Sequence, residues 1–113
     1  KKKKKQMKRL LFISMLFSSA IFAQIEAKHF NAEWNSANNV PWFMDLDCKT
    51  KGHTDIAKNP DEATKYKIAV VPTIIIFKDG EEAVRFQADL SFKMIATKEE
   101  VMEAIDELLM SDF

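Results

Sequence analysis

Between Ile25 and Met110 the apolar residues follow two different periods. Residues 25–34 alternate, with Phe30, Ala32 and Trp34 on one face and His29, Asn31 and Glu33 on the other, which predicts a strand. Residues 35–39 are rich in turn and cap types. Val40, Trp42, Phe43, Met44 and Leu46 follow as an apolar patch, expected to form a short helix entered through Pro41. Residues 49–53 read as a polar connection containing Gly52, and residues 54–57 as a weak strand at or near a sheet edge. Asn59 is expected to cap a second short helix whose first position is Pro60, where a fixed φ suits the helix and no N–H is lost. Thr73-Ile74-Ile75-Ile76-Phe77 has no polar face at all, the pattern of a strand buried on both sides.

Lys78-Asp79-Gly80-Glu81 predicts a hairpin turn, because Asp-Gly tolerates the positive φ that tight hairpins require. The returning strand, residues 83–88, places Val84, Phe86 and Ala88 on one side and Arg85 and Gln87 on the other. Residues 89–96 have no period but carry Leu90, Phe92, Met94 and Ile95, so this segment is expected to pack onto the body. In Thr97-Lys98-Glu99-Glu100 the hydroxyl can accept from the amide of Glu100 while the carboxylate reaches back, a capping box. The helix it opens is expected to run to about Met110, burying Val101, Ile105, Leu108 and Leu109. Repeats and linkers are not evident in residues 24–113, so a single domain is expected.

Ahead of Gln24 the pattern changes. Five lysines from Lys1, then Lys8 and Arg9, form a basic stretch, followed by 14 apolar or small residues at 10–23. A basic region, a short apolar region and a small residue, in that order, predict a secretory signal peptide over residues 1–23, cleaved after Ala23. A membrane span needs about 20 residues, so membrane contact is expected only in transit, with an uncleaved anchor as the alternative. No cysteine follows the apolar run to serve lipoprotein-type anchoring. Met7 is read as the translation start, with residues 1–6 upstream of it. The expected location is outside the cytoplasm, periplasmic or secreted.

That division changes the charge. The whole chain has 17 basic and 17 acidic residues, yet residues 24–113 hold ten basic against all 17 acidic ones, a net −7 with neutral histidines. Nucleic-acid binding is disfavoured at that charge, because it depends on cations displacing counterions. Cys48 is the only cysteine, so an internal disulfide is impossible; it is either buried and inert or free to pair with another molecule. His29 and His53 are too few to propose a metal site. With Gly52 and Gly80 the only glycines, a phosphate-cradling loop cannot be built, and no cofactor signature is present.

Two stretches carry a family resemblance. Phe30-Asn31-Ala32-Glu33-Trp34 is similar to the strand end that in active thioredoxins runs into Cys-Gly-Pro-Cys, and residues 66–81 resemble that family's cis-proline segment and following hairpin. The resemblance implies an α/β thioredoxin-like fold, a four-stranded mixed sheet with helices on both faces. It implies further that Pro72 is the cis-proline, that Val71 pairs its backbone with a bound peptide, and that Asn35 and Asn38 stand at the two cysteine positions. His29 falls where active members carry a buried acid. The strand and helix that precede residues 25–34 in those members have no counterpart in 24–113, so the expected core is the minimal, glutaredoxin-sized one.

A dithiol site needs a thiolate to attack and a second thiol to resolve the mixed disulfide. Asparagine can do neither. The expected function is therefore redox-inactive binding of a protein or peptide at a groove formed by Trp34, Asn35, Asn38, Val71, Pro72 and Thr73. The alternative is a monothiol oxidoreductase or thiol carrier using Cys48 within Cys48-Lys49-Thr50-Lys51, though only 24 positions separate it from Pro72. Trp34 and Trp42 suit either a peptide platform or core packing, and Asn35 and Asn38 either a ligand or a helix cap. The acidic face of the last helix, from Glu99 to Glu107, reads as solvated surface.

Overall fold

The computed structural model describes residues 24–111; the expected signal peptide at 1–23, with its Met7 start, lies outside the described residues. Four strands form one mixed sheet: β1 (Ile25–Asn31), β2 (Thr50–Asp55), β3 (Thr73–Lys78) and β4 (Glu81–Gln87), in the order β2-β1-β3-β4. β1 and β2 are parallel, and the other pairs are antiparallel. Among the described residues two α-helices, α1 (Pro60–Lys65) and α2 (Lys98–Met110), lie on opposite faces. Among the described residues no helix is long and apolar enough to cross a membrane.

The unbroken run in β3 forces this layering, because successive side chains leave a strand on alternate faces. Ile74 and Ile76 join Ala27, Val40, Phe43, Leu46, Val101 and Ile105 in the larger core, against α2. Ile75 joins Phe30 and Phe77 in the smaller one, where Ile56, Tyr66 and Ile68 close the α1 side. The hairpin turn has φ 52° at Asp79 and 85° at Gly80, the left-handed pair that Asp-Gly supplies.

Several boundaries differ from those expected, each for a local reason. β1 stops at Asn31 instead of continuing to residue 34, because its pairing ends at Asn31↔Asp55 and Phe30↔Thr73 and the chain turns into a 3₁₀ segment, Glu33–Asn38. The apolar patch after it forms only a 3₁₀ turn, Phe43–Asp45, not an α-helix. Val40, Phe43 and Leu46 all reach the core, and a spacing of three is the one a 3₁₀ turn aligns on one side. β2 starts at Thr50, four residues earlier than expected: at an edge, backbone pairing to β1 suffices and no apolar alternation is needed. Asn59 does precede α1, but its side chain donates to Asp55 O at 3.1 Å and makes no cap bond.

The Thr97 capping box is present, with both reciprocal bonds to Glu100. Val101 and Ile105 are buried, Leu108 is half-buried and Leu109 is exposed, while Met102 packs on the core instead. Each i+4 step turns about 40° around an α-helix, so Leu109 has rotated away from the line set by Val101. The segment before α2 departs most from expectation. Met94 reaches the core, but Leu90 is 96% exposed and Ile95 is also in solvent. Asp89 Oδ1 accepts from the Ser91 amide (2.8 Å), the Ser91 hydroxyl (2.6 Å) and the Lys93 amide (3.1 Å), closing a tight polar loop that turns Leu90 outward.

Candidate functional site at the end of the first strand

Four asparagines gather where β1 ends. The Asn31 side-chain amide donates to Asn35 O at 3.1 Å and to Asn39 Oδ1, which draws the chain back over the strand end. Asn35 Nδ2 donates to Asn31 Oδ1 at 3.0 Å, to Phe92 O at 3.2 Å and, more weakly, to Val71 O at 3.4 Å. Asn35 Oδ1 accepts from Asn38 Nδ2 at 2.8 Å. Asn35 is only 6% exposed and both its amide hydrogens are shared among protein acceptors. Asn35 is thus an inward-facing hydrogen-bond hub.

The Val71–Pro72 peptide bond is cis. Val71, Pro72 and Thr73 are all buried beside Asn35. The structure brings Asn35, Asn38, Val71 and Pro72 together, with Trp34 at their rim. Thr73 sits differently from the groove position expected of it: it pairs with Phe30 on one side and Gln87 on the other, and its hydroxyl donates to Val70 O at 2.7 Å. Its backbone lies inside the sheet, where strand addition cannot reach. Trp34 is 65% exposed and meets the ring of Phe92 edge-on, at 5.3 Å between centroids. Phe92 itself has φ 63°, a left-handed conformation that a bulky side chain rarely adopts.

His29 is buried on the same strand two residues earlier. Its Nε2 accepts from the Val40 amide at 3.4 Å, so in the neutral ring the proton sits on Nδ1 and points to His53 Nδ1, 2.6 Å away. Burial, and then the neighbouring His53, hold the His29 imidazole down at about 4. Unlike a carboxylate, it is uncharged near neutral pH. Among the described residues no cluster of three or more histidine, cysteine or acidic side chains could hold a metal ion.

Cys48 stands at the other end of β1. Its thiol is shared between Ile25 O (3.2 Å) and Thr50 O (3.3 Å), and its side chain packs half-buried on the larger core with Trp42. The length of β1 separates it from Asn35 and Pro72. Of the residues in the site, Asn31, Asn39 and the Phe92 carbonyl were not expected from sequence. Four asparagines within nine positions were the available signal; the Phe92 contact, 57 positions from Asn35, left none.

No family model matches the chain. It is 30% identical over 103 residues to thioredoxin of Staphylococcus aureus, with 82% of this chain and 90% of that protein covered. A shorter match to chloroplastic thioredoxin Y1 of Arabidopsis thaliana is 49% identical over 41 residues, 36% of this chain but only 24% of that protein. Among solved structures, a single-site mutant of thioredoxin from Halobacterium salinarum superposes with a TM-score of 0.63 at 19% identity, over 76% of this chain and 75% of the other.

Proposed function

The chain belongs to the thioredoxin family, and from that premise we propose that it is an exported, redox-inactive member that binds an extended protein or peptide segment at the cleft beside Pro72. The observation that carries the reading is Asn35: the position of the attacking thiol holds a buried amide committed to protein acceptors. No thiolate can form there, so disulfide chemistry at this end of the sheet has no nucleophile. What the fold retains is recognition geometry. Val71 offers its backbone in the manner of strand addition, and Trp34 and Asn38 form the accessible lip opposite. A large, exposed aromatic side chain at the rim is the residue type that anchors such contacts. Export rests on the basic and apolar pattern of residues 1–23.

The test measures two activities of the purified protein. Binding of reduced, alkylated lysozyme, an unfolded chain without free thiols, is expected to weaken at least tenfold in Trp34→Ala and in Asn38→Ala, about 1.4 kcal/mol. Exchange with glutathione disulfide is expected to show no turnover. Turnover that disappears in Cys48→Ser would replace this reading with a monothiol one.

A further inference from the structure

We infer that Asn35 is a latch that holds the turn at residues 89–93 closed over the Val71–Pro72 backbone, so that the cleft in this structure is covered by the protein's own Phe92. The inference deepens the peptide-binding reading and, for what the closure excludes, rests on it. Its starting point is that one amide group, Asn35 Nδ2, binds the carbonyls of both Val71 and Phe92, at 3.4 and 3.2 Å. A single side chain therefore ties the proline loop to the turn. The base of the turn is a bridge between Ala88 and Met94, reinforced by Ala88 N donating to Pro72 O at 3.0 Å. Beyond that base the segment closes on itself, with Asp89 N donating to Lys93 O at 2.9 Å and Phe92 N to Asp89 O at 3.1 Å.

Little else holds it down. Leu90 lies in solvent, Phe92 is exposed apart from its edge contact with Trp34, and Ser91 and Lys93 are exposed as well. Segments with few buried apolar contacts open at low free energy while the rest of the fold stays intact. Phe92 is also in a left-handed conformation, held within the turn by Phe92 N donating to Asp89 O. Beyond its base at Ala88, the turn is thus held over the proline loop by one polar contact and one ring contact. A peptide N–H arriving at Val71 O competes with the same Asn35 amide that holds Phe92 O, so peptide binding is coupled to release of the turn. The residue at the nucleophile's position has become a gate.

Hydrogen exchange on the full chain tests the latch without any ligand. In Asn35→Ala the amides of residues 89–93 are expected to exchange at least tenfold faster than in the unaltered protein, with those of β3 unchanged. Phe92→Ala, an exposed position, is expected to move the same amides in the same direction, and keeps the test valid should Asn35→Ala not fold. Leu90→Ser in the same turn is expected to change nothing. Unchanged exchange at 89–93 in both Asn35→Ala and Phe92→Ala would overturn the latch. Binding of reduced, alkylated lysozyme then separates the two ideas. An affinity raised at least threefold in Asn35→Ala supports the gate. Equal affinities, despite faster exchange, would show that the turn does not cover the cleft and would overturn it. No binding to either protein, with exchange accelerated, sinks the peptide reading and leaves the latch supported.

Discussion

Burial holds the His29 imidazole at about 4 in the folded chain, against an ordinary 6.5. Between those values the unfolded chain carries a proton that the folded one lacks. Stability is therefore fully present above pH 6.5 and is lost as pH falls toward 4, by about 3 kcal/mol in total. Urea unfolding measured from about pH 7.5 to about 4.5 is expected to show that slope, and His29→Gln to flatten it. An unaltered slope in the variant would place the titrating group elsewhere. At the same scale, Asn35 illustrates what a residue's identity does and does not say. That an asparagine offers no thiol was legible at once. Whether its amide faces a ligand or the protein depended on acceptors 36 and 57 positions away, which no local pattern encodes.

The helix α1 ends just before the proline loop, and the strand β4 holds that end in place. Arg85 Nη2 donates to Tyr66 O at 2.8 Å and Nη1 to Lys67 O at 3.2 Å, while Glu82 grips the same guanidinium through Nε at 2.8 Å and Nη2 at 2.7 Å. Helix-terminal carbonyls without intrahelical partners are satisfied this way, and the cation sits at the favourable end of the helix dipole. Arg85→Met is expected to cost about 1–2 kcal/mol, read as a lower urea midpoint with the slope unchanged. A midpoint within error of the unaltered protein would mean that water serves those carbonyls as well. In sequence, Arg85 showed only as the polar side of an alternating strand. The strand was legible from its period, but its task was not, because the partner carbonyls belong to another element. The Thr97 capping box was legible in full, since both of its bonds are local.

Across the whole molecule, the two cores depend on how far each apolar side chain reaches into the sheet, and this ranks residues that look alike in sequence. Ile105 is fully buried in the larger core, whereas Leu109, on the next turn of the same stripe, is 39% exposed. Ile105→Ala is expected to cost about 2–5 kcal/mol and Leu109→Ala no more than about 0.5 kcal/mol, by chemical denaturation. Comparable losses at both would mean that α2 sits rotated relative to the sheet. The sequence by itself determined the elements whose causes are local: the Asp-Gly hairpin, the capped helix, and a central strand whose unbroken β-branched run demands cover on both faces. It also determined that residues 24–113 carry one thiol and no dithiol, which is a matter of composition. Only the tertiary structure decided where β2 begins, that the patch at 40–46 is a 3₁₀ turn, and that Leu90 faces water. It alone placed Cys48 and Asn35 at opposite ends of β1 and tied Asn35 to Phe92. The physical reason is the range of the interactions: turns, caps and periodicity act over about four residues or fewer, while edge pairing, burial and the polar hub are settled between segments that meet only once the sheet has formed.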